Sequence, residues 1–153
     1  MIASQRLQEL AFDLRNQPPR SPRVTLGGYV LAARILDKCR AGLIGQLGEY
    51  AYAGPNSLDF TFFDFTGITP AEFEAFVATG ADDEAIAQWI GERTTGKSRA
   101  DVVEWNNQMR DLRLSDVPVE IQVFMEDYIA KHCPSHRPVY HYFDIYDLEE
   151  GRL

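Results

Sequence analysis

From Thr69 to Pro134 the sequence is a run of helix starts and stops, and this punctuation constrains the fold more than any other feature. Thr69-Pro70-Ala71-Glu72 combines an N-cap hydroxyl, a proline in the first turn and an acid that can bond back to the cap. The helix it opens turns Phe73, Phe76 and Val77 inward, and Gly80 stops it. Asp82-Asp83-Glu84 opens the next, with Ile86, Trp89 and Ile90 at i, i+3 and i+4. Ser98 and Asp101 form the capping pair of a third, which carries Val102, Trp105, Met109 and Leu112. Asp116-Val117-Pro118 opens a fourth, whose predicted buried side holds Ile121, Phe124, Met125 and Tyr128, and Pro134 ends it.

The first half reads in the same way. Leu7, Leu10, Ala11 and Leu14 form an i, i+3, i+4, i+7 stripe that predicts a helix over roughly residues 4–16. Gln17-Pro18-Pro19-Arg20-Ser21-Pro22 cannot continue it and is expected to be extended. A second helix is predicted from Gly28 to about Gly45, burying Ala32, Ile35, Leu36, Cys39 and Leu43, with a loop from Glu49 to Pro55. Asn56 reads as the cap of a short helix with Leu58, Phe62 and Phe65 on one face, although Leu58, Phe60 and Phe62 also alternate as in a strand. The aromatic-rich stretch Val139–Tyr146 suits an extended arm or a short helix equally. With 153 residues, 45% of them apolar, the chain can bury a core of ordinary size. The expectation is an all-α, single domain over residues 1–153, built from six or seven mostly short helices, with residues 1–19 forming an N-terminal helix and a proline-rich connector.

Gly91 to Ser98 reads G-E-R-T-T-G-K-S, a full match to the phosphate-loop pattern. That loop works only where a buried strand delivers free N–H groups to the start of a helix. Here the preceding residues have helical spacing, so Lys97 is expected in a helix–helix turn and the motif is read as coincidental.

The formal net charge of −8 argues against general nucleic-acid binding, which wants a basic surface. No apolar run reaches the length of a membrane span, and the first sixteen residues are too polar for a secretory leader. A cytoplasmic protein is expected, with Cys39 and Cys133 as reduced thiols. Charge is unevenly spread: residues 1–48 hold seven Lys or Arg against three acids, and the remainder eight against twenty. Such asymmetry suits an anion site in the basic part, or a basic segment packed on acids of the same fold.

The best candidate site follows from that asymmetry. Gly27-Gly28 before a helix lets the backbone approach a ligand closely, beside Tyr29. Arg23 could grip a carboxylate or phosphate with two bonds. Arg34, Asp37, Lys38 and Arg40 crowd charge into two helical turns, and Glu49 follows. The plainer reading is a tight turn followed by internally paired charges. All three histidines, His132, His136 and His141, fall near Cys133, but Pro134 interrupts the helix that would align them and the ligand set is incomplete, so no metal and no cofactor is expected. Cys39 lies between two cations on an apolar stripe, where burial should outweigh them and raise its pKa.

Arg20 to Tyr50, F-F-D-F-T-G-I (62–68), F-E-A-F-V-A-T-G-A-D-D-E (73–84), V-E-W-N (103–106) and Y-F-D-I-Y-D-L-E-E-G-R (142–152) together resemble a bacterial domain-of-unknown-function family, number 5069. The resemblance spans about residues 20–152 and implies a small helical bacterial protein, with no assigned activity and therefore no catalytic roles to transfer. The leading functional expectation is a non-catalytic helical module that binds a protein partner or a small anionic ligand through the basic N-terminal region. The alternative is an enzyme acting on a small carboxylated or phosphorylated metabolite, with Arg23 and Arg34 as clamps, Asp37 or Glu49 as acid/base and Lys38 as an electrostatic stabiliser.

Overall fold

The computed structural model describes the backbone of residues 2–153 and the side chains from Ala3 onward. Met1, part of the segment read as too polar for a leader, lies outside the described residues. Among them there are eight α-helices and no strand: α1 (Ile2–Leu10), α2 (Ala32–Leu43), α3 (Asp59–Thr66), α4 (Pro70–Val77), α5 (Asp83–Arg93), α6 (Arg99–Arg110), α7 (Val119–His132) and α8 (Tyr142–Glu149). The all-α expectation is borne out and the count of six or seven is corrected to eight. The added helix is the aromatic segment, where the backbone N–H of His141 donates to Asp144 and the chain then winds. No helix among the described residues is long and apolar enough to cross a membrane. The chain divides into two compact units, residues 1–102 and 103–153, the division falling within α6.

Within the first unit the strongest start signals behave as the sequence predicts. Thr69 Oγ1 accepts from the N–H of Glu72 while Glu72 accepts from the N–H of Thr69, at 3.1 and 3.0 Å. Asp82 caps α5 by accepting from Ala85 N at 2.9 Å, and Ser98 and Asp101 exchange bonds at the head of α6. Each such cap contributes about 1 kcal/mol. The helix–helix turn expected around Lys97 is present. Gly91 lies inside α5, the N–H of Lys97 donates to the carbonyl of Thr94, and Lys97 Nζ stands 4.2 Å from the centroid of the Phe65 ring. No strand precedes it.

Helix ends with weaker signals moved. α1 stops at Leu10 and not near Asn16, because the Asp13 carboxylate collects the Arg15 N–H, the Arg15 guanidinium and the Asn16 amide into a local turn that competes with helix. Asn56 does not cap α3; it takes a left-handed φ of 59°, and the helix begins three residues later. α2 starts at Ala32 because the residues from Gly28 are used otherwise. Leu26 and Tyr29 exchange two backbone bonds around Gly27 and Gly28, whose φ values of 61° and 87° suit a tight two-residue reversal. A side chain at Gly27 would also meet the carbonyl oxygen of Ala87 at 3.2 Å.

The core of this unit is aromatic. Phe62 and Phe73, both fully buried, pack edge to face at 6.2 Å, with Tyr29, Tyr52, Phe63 and Trp89 around them. In the second unit a smaller cluster of Cys133, Ile145 and Leu148 takes Leu114, Met125, Tyr128, Ile129 and Val139 against it. α7 therefore uses a different side from the one predicted. Met125 and Tyr128 turn inward with Ile129, while Ile121 and Phe124 stay 39% and 61% exposed. The reason is that α8 supplies a narrow apolar surface, which one stripe of α7 is enough to cover.

Candidate functional site

α2 is buried on every side, from Ala32 to Ala41, although four of those ten residues are charged. Ile35, Leu36 and Cys39 share one face of the helix, and Arg34, Asp37, Lys38 and Arg40 are buried with them because the other sides are covered too. An isolated charge in such a place costs far more than a small domain can spare, and each must find a partner.

Arg20 supplies the first. The proline-flanked connector holds it against α2, where its backbone N–H donates to Asp37 Oδ2 at 2.8 Å. Its guanidinium donates through Nε to Oδ2 at 3.0 Å and through Nη2 to Oδ1 at 2.9 Å, a two-pronged grip on the carboxylate. The remaining arm, Nη1, reaches Asp83 Oδ2 at 2.8 Å, and Arg40 Nη1 reaches the other oxygen of Asp83 at 2.8 Å. Arg40 Nη2 donates to the carbonyl of Ala81 at 3.0 Å. The result is an alternating chain of Asp37, Arg20, Asp83 and Arg40. Burial pushes the Asp83 carboxyl up, but bonds from Arg20 and Arg40 and their charges outweigh it, holding the group below its ordinary value.

Lys38 forms a second centre. Its ammonium donates to both oxygens of Asp59, at 2.7 and 2.8 Å, and Asp59 also accepts from the N–H of Ala53 at 2.9 Å. Arg34 donates to the carbonyl of Arg20 at 3.2 Å, and its guanidinium lies 5.7 Å from the centroid of the Tyr50 ring. Cys39 behaves as expected from its position: burial first, then the charge of Glu74, pushes its thiol up to about 12. At neutral pH it is protonated and inert.

Of the nine residues singled out from sequence, five are buried: Tyr29, Arg34, Asp37, Lys38 and Arg40. Arg23, Gly27, Gly28 and Glu49 are exposed. Asp37 and Glu49, the two acid/base candidates, thus stand in opposite settings, one sealed under Arg20 and one on the loop after α2. Sequence reasoning missed Arg20, Asp59 and Asp83, the residues that balance the helix. Only one signal could have raised them: four charges within residues 34–40 of a helix call for partners from elsewhere, without saying which.

Beside the Asp83 bridge lies a cleft of about 310 Å³ lined by Leu10, Phe12, Arg20, Arg40, Asp82, Asp83 and Glu84. Its two guanidinium groups already hold Asp83, and the three acids outnumber them, so the local field does not favour an anion. In the second unit the histidines have separate surroundings. The His132 ring packs at 4.3 Å from that of Tyr128, His141 Nε2 lies 3.3 Å from Asp111, and His136 is exposed. Among the described residues no three His, Cys, Asp or Glu side chains are grouped as a metal ion would require.

A comparison with curated proteins gives no match. Residues 16–152, which hold helices α2 to α8 and the buried ion pairs set out above, match the family described as Domain of unknown function (DUF5069), and the chain belongs to that family.

Proposed function

We propose that the chain is a non-catalytic helical module that binds a protein partner, and that in residues 1–102 the partner meets the loop from Arg23 to Gly28. The observation that carries this reading is the saturation of the charged groups on α2. A general base needs a lone pair within reach of a substrate proton. Asp37 is 2% exposed, and both of its oxygens already accept from Arg20. A small anion needs cations to receive it, yet Arg40 and Lys38 each close on a carboxylate of the same chain.

The exposed loop has a different character. Arg23, Thr25, Gly27 and Gly28 face solvent with Val24, which is 40% exposed. The loop is held in one shape by the paired bonds of Leu26 and Tyr29 and by the Leu31 N–H, which donates to the carbonyl of Pro22 at 2.9 Å. A preformed loop with exposed side chains, Val24 among them, loses little entropy on binding and suits a protein surface.

The test compares the immobilised chain with its Arg23→Glu/Val24→Asp variant in extracts of the source organism. Retention of a protein by the first and not by the second, at equal melting temperature, is the expected result. Equal retention by both would remove the loop from the reading. Saturable binding of inorganic phosphate or citrate that Arg23→Glu abolishes would replace the protein partner with a small anion.

A further inference from the structure

We infer that the outward face of α7 is a second docking surface, shaped for a basic amphipathic segment of a protein partner. It goes beyond the loop reading, since it concerns other residues and stands or falls without it. α7 is the longest helix of the chain at fourteen residues, about 21 Å, and none of its residues is fully buried. Its inner stripe, Met125, Tyr128 and Ile129, is occupied by Cys133, Ile145 and Leu148. On the outer side Val119, Val123 and Phe124 are 63%, 62% and 61% exposed. Val119, Val123 and the exposed Ala130 stand at i, i+4 and i+11, which aligns them along the helix axis, and Phe124 flanks the line. Single exposed apolar residues are ordinary on a protein surface. Three large ones within two turns, on a helix already anchored by its other side, form a patch of the kind that marks contact sites.

Charge selects the occupant. Glu120, Glu126 and Asp127 are exposed beside the apolar line, and Lys131 stands at the C-terminal end. A second copy would bring the same three acids against these, on a chain of net charge −8. An anionic lipid surface would be repelled in the same way. A helix with apolar residues at i, i+4 and i+7 and lysine or arginine along its edges would seat its apolar side on Val119, Val123 and Phe124 and pair its cations with the acids.

A fluorescent fourteen-residue Leu/Lys amphipathic peptide serves as the probe, with a Leu/Glu peptide of the same pattern as control, read by anisotropy. Saturable binding of the Leu/Lys peptide is expected, weakened at least tenfold by Val123→Ser/Phe124→Ser and by Glu126→Lys/Asp127→Lys. Raising the salt should weaken it further. Both variants change exposed side chains only, and an unchanged melting temperature verifies that they fold. Absence of binding at 100 µM peptide, equal binding of the Leu/Glu control, or binding that neither variant alters would overturn the inference. So would a dimer of the chain alone that Val123→Ser/Phe124→Ser dissociates, or binding to phosphatidylglycerol vesicles, either of which would give the face another occupant.

Discussion

Helices α2 and α7 invert the usual distribution of side chains. α2 holds four charged residues and is sealed on all sides; α7 holds Val119, Val123 and Phe124 and leaves them in water. Composition alone would have exchanged their environments. What differs is the supply of partners. Around α2, Arg20, Asp59 and Asp83 answer Asp37, Lys38 and Arg40 at 2.7–2.9 Å, and Arg34 donates to the Arg20 carbonyl at 3.2 Å, so its apolar residues can be buried with the charges satisfied. Around α7, the Cys133–Ile145–Leu148 cluster covers one stripe, and Val119, Val123 and Phe124 on the other side stay more than 60% exposed. Burial in this chain is decided by what a helix is offered, and hydrophobicity sets only the demand.

The sharpest way to break this contrast is to remove one member of a buried pair. Lys38→Met should leave the Asp59 carboxylate buried without its ammonium and cost about 3 kcal/mol or more in urea unfolding. The double variant Lys38→Met/Asp59→Leu should recover part of that loss. A single variant that unfolds like the wild type would mean that the ion pair is unimportant to α2. Arg40→Met should cost less, about 1–2 kcal/mol, because Asp83 keeps Arg20 and is 44% exposed, while the Ala81 carbonyl loses its donor.

A pH series tests the same network from the acid side. Asp83 is held below its ordinary value, near 4, by Arg20 and Arg40. A depressed carboxyl adds stability that is present above the unfolded-state value and is lost as pH falls through the folded-state one. Stability should therefore fall below about pH 4, and Asp83→Asn should flatten that limb of the curve. An identical limb in both proteins would assign the acid sensitivity elsewhere. The smallest effect belongs to α7: Val119→Ser and Val123→Ser should each change stability by less than about 0.5 kcal/mol. A loss several times larger would show that those side chains are covered in solution, for instance by a second copy.

Fold class and the starts of α4, α5 and α6 were legible because they rest on local chemistry. Thr69 and Glu72, Asp82 and Ala85, and Ser98 and Asp101 each satisfy one another within a single turn, so three or four letters carry the information. The end of α1 was misread because the apolar stripe runs on to Leu14, which is indeed buried, while the Asp13 turn had already broken the helix. The site was half legible. Arg34, Asp37, Lys38 and Arg40 stood out, but their partners lie 14 to 43 residues away in sequence, and no local rule relates Arg20 to Asp83 or Lys38 to Asp59. The orientation of α7 was lost for the same reason. Phe124 and Ile129 look equally apolar, and only the placement of Ile145 and Leu148 chooses between them.

The turn at Lys97 has a consequence for reading short patterns. In the eight residues that imitate a phosphate cradle, the N–H groups of Thr94, Lys97 and Ser98 already donate to Gly91, to Thr94 and to the Asp101 carboxylate. An incoming triphosphate would have to unlatch the head of one helix and the tail of another, and would meet the Asp101 anion there first. The spelling of the motif is complete, yet these three N–H groups are engaged, so Lys97→Ala should alter the packing on Phe65 and leave ATP–magnesium titrations flat.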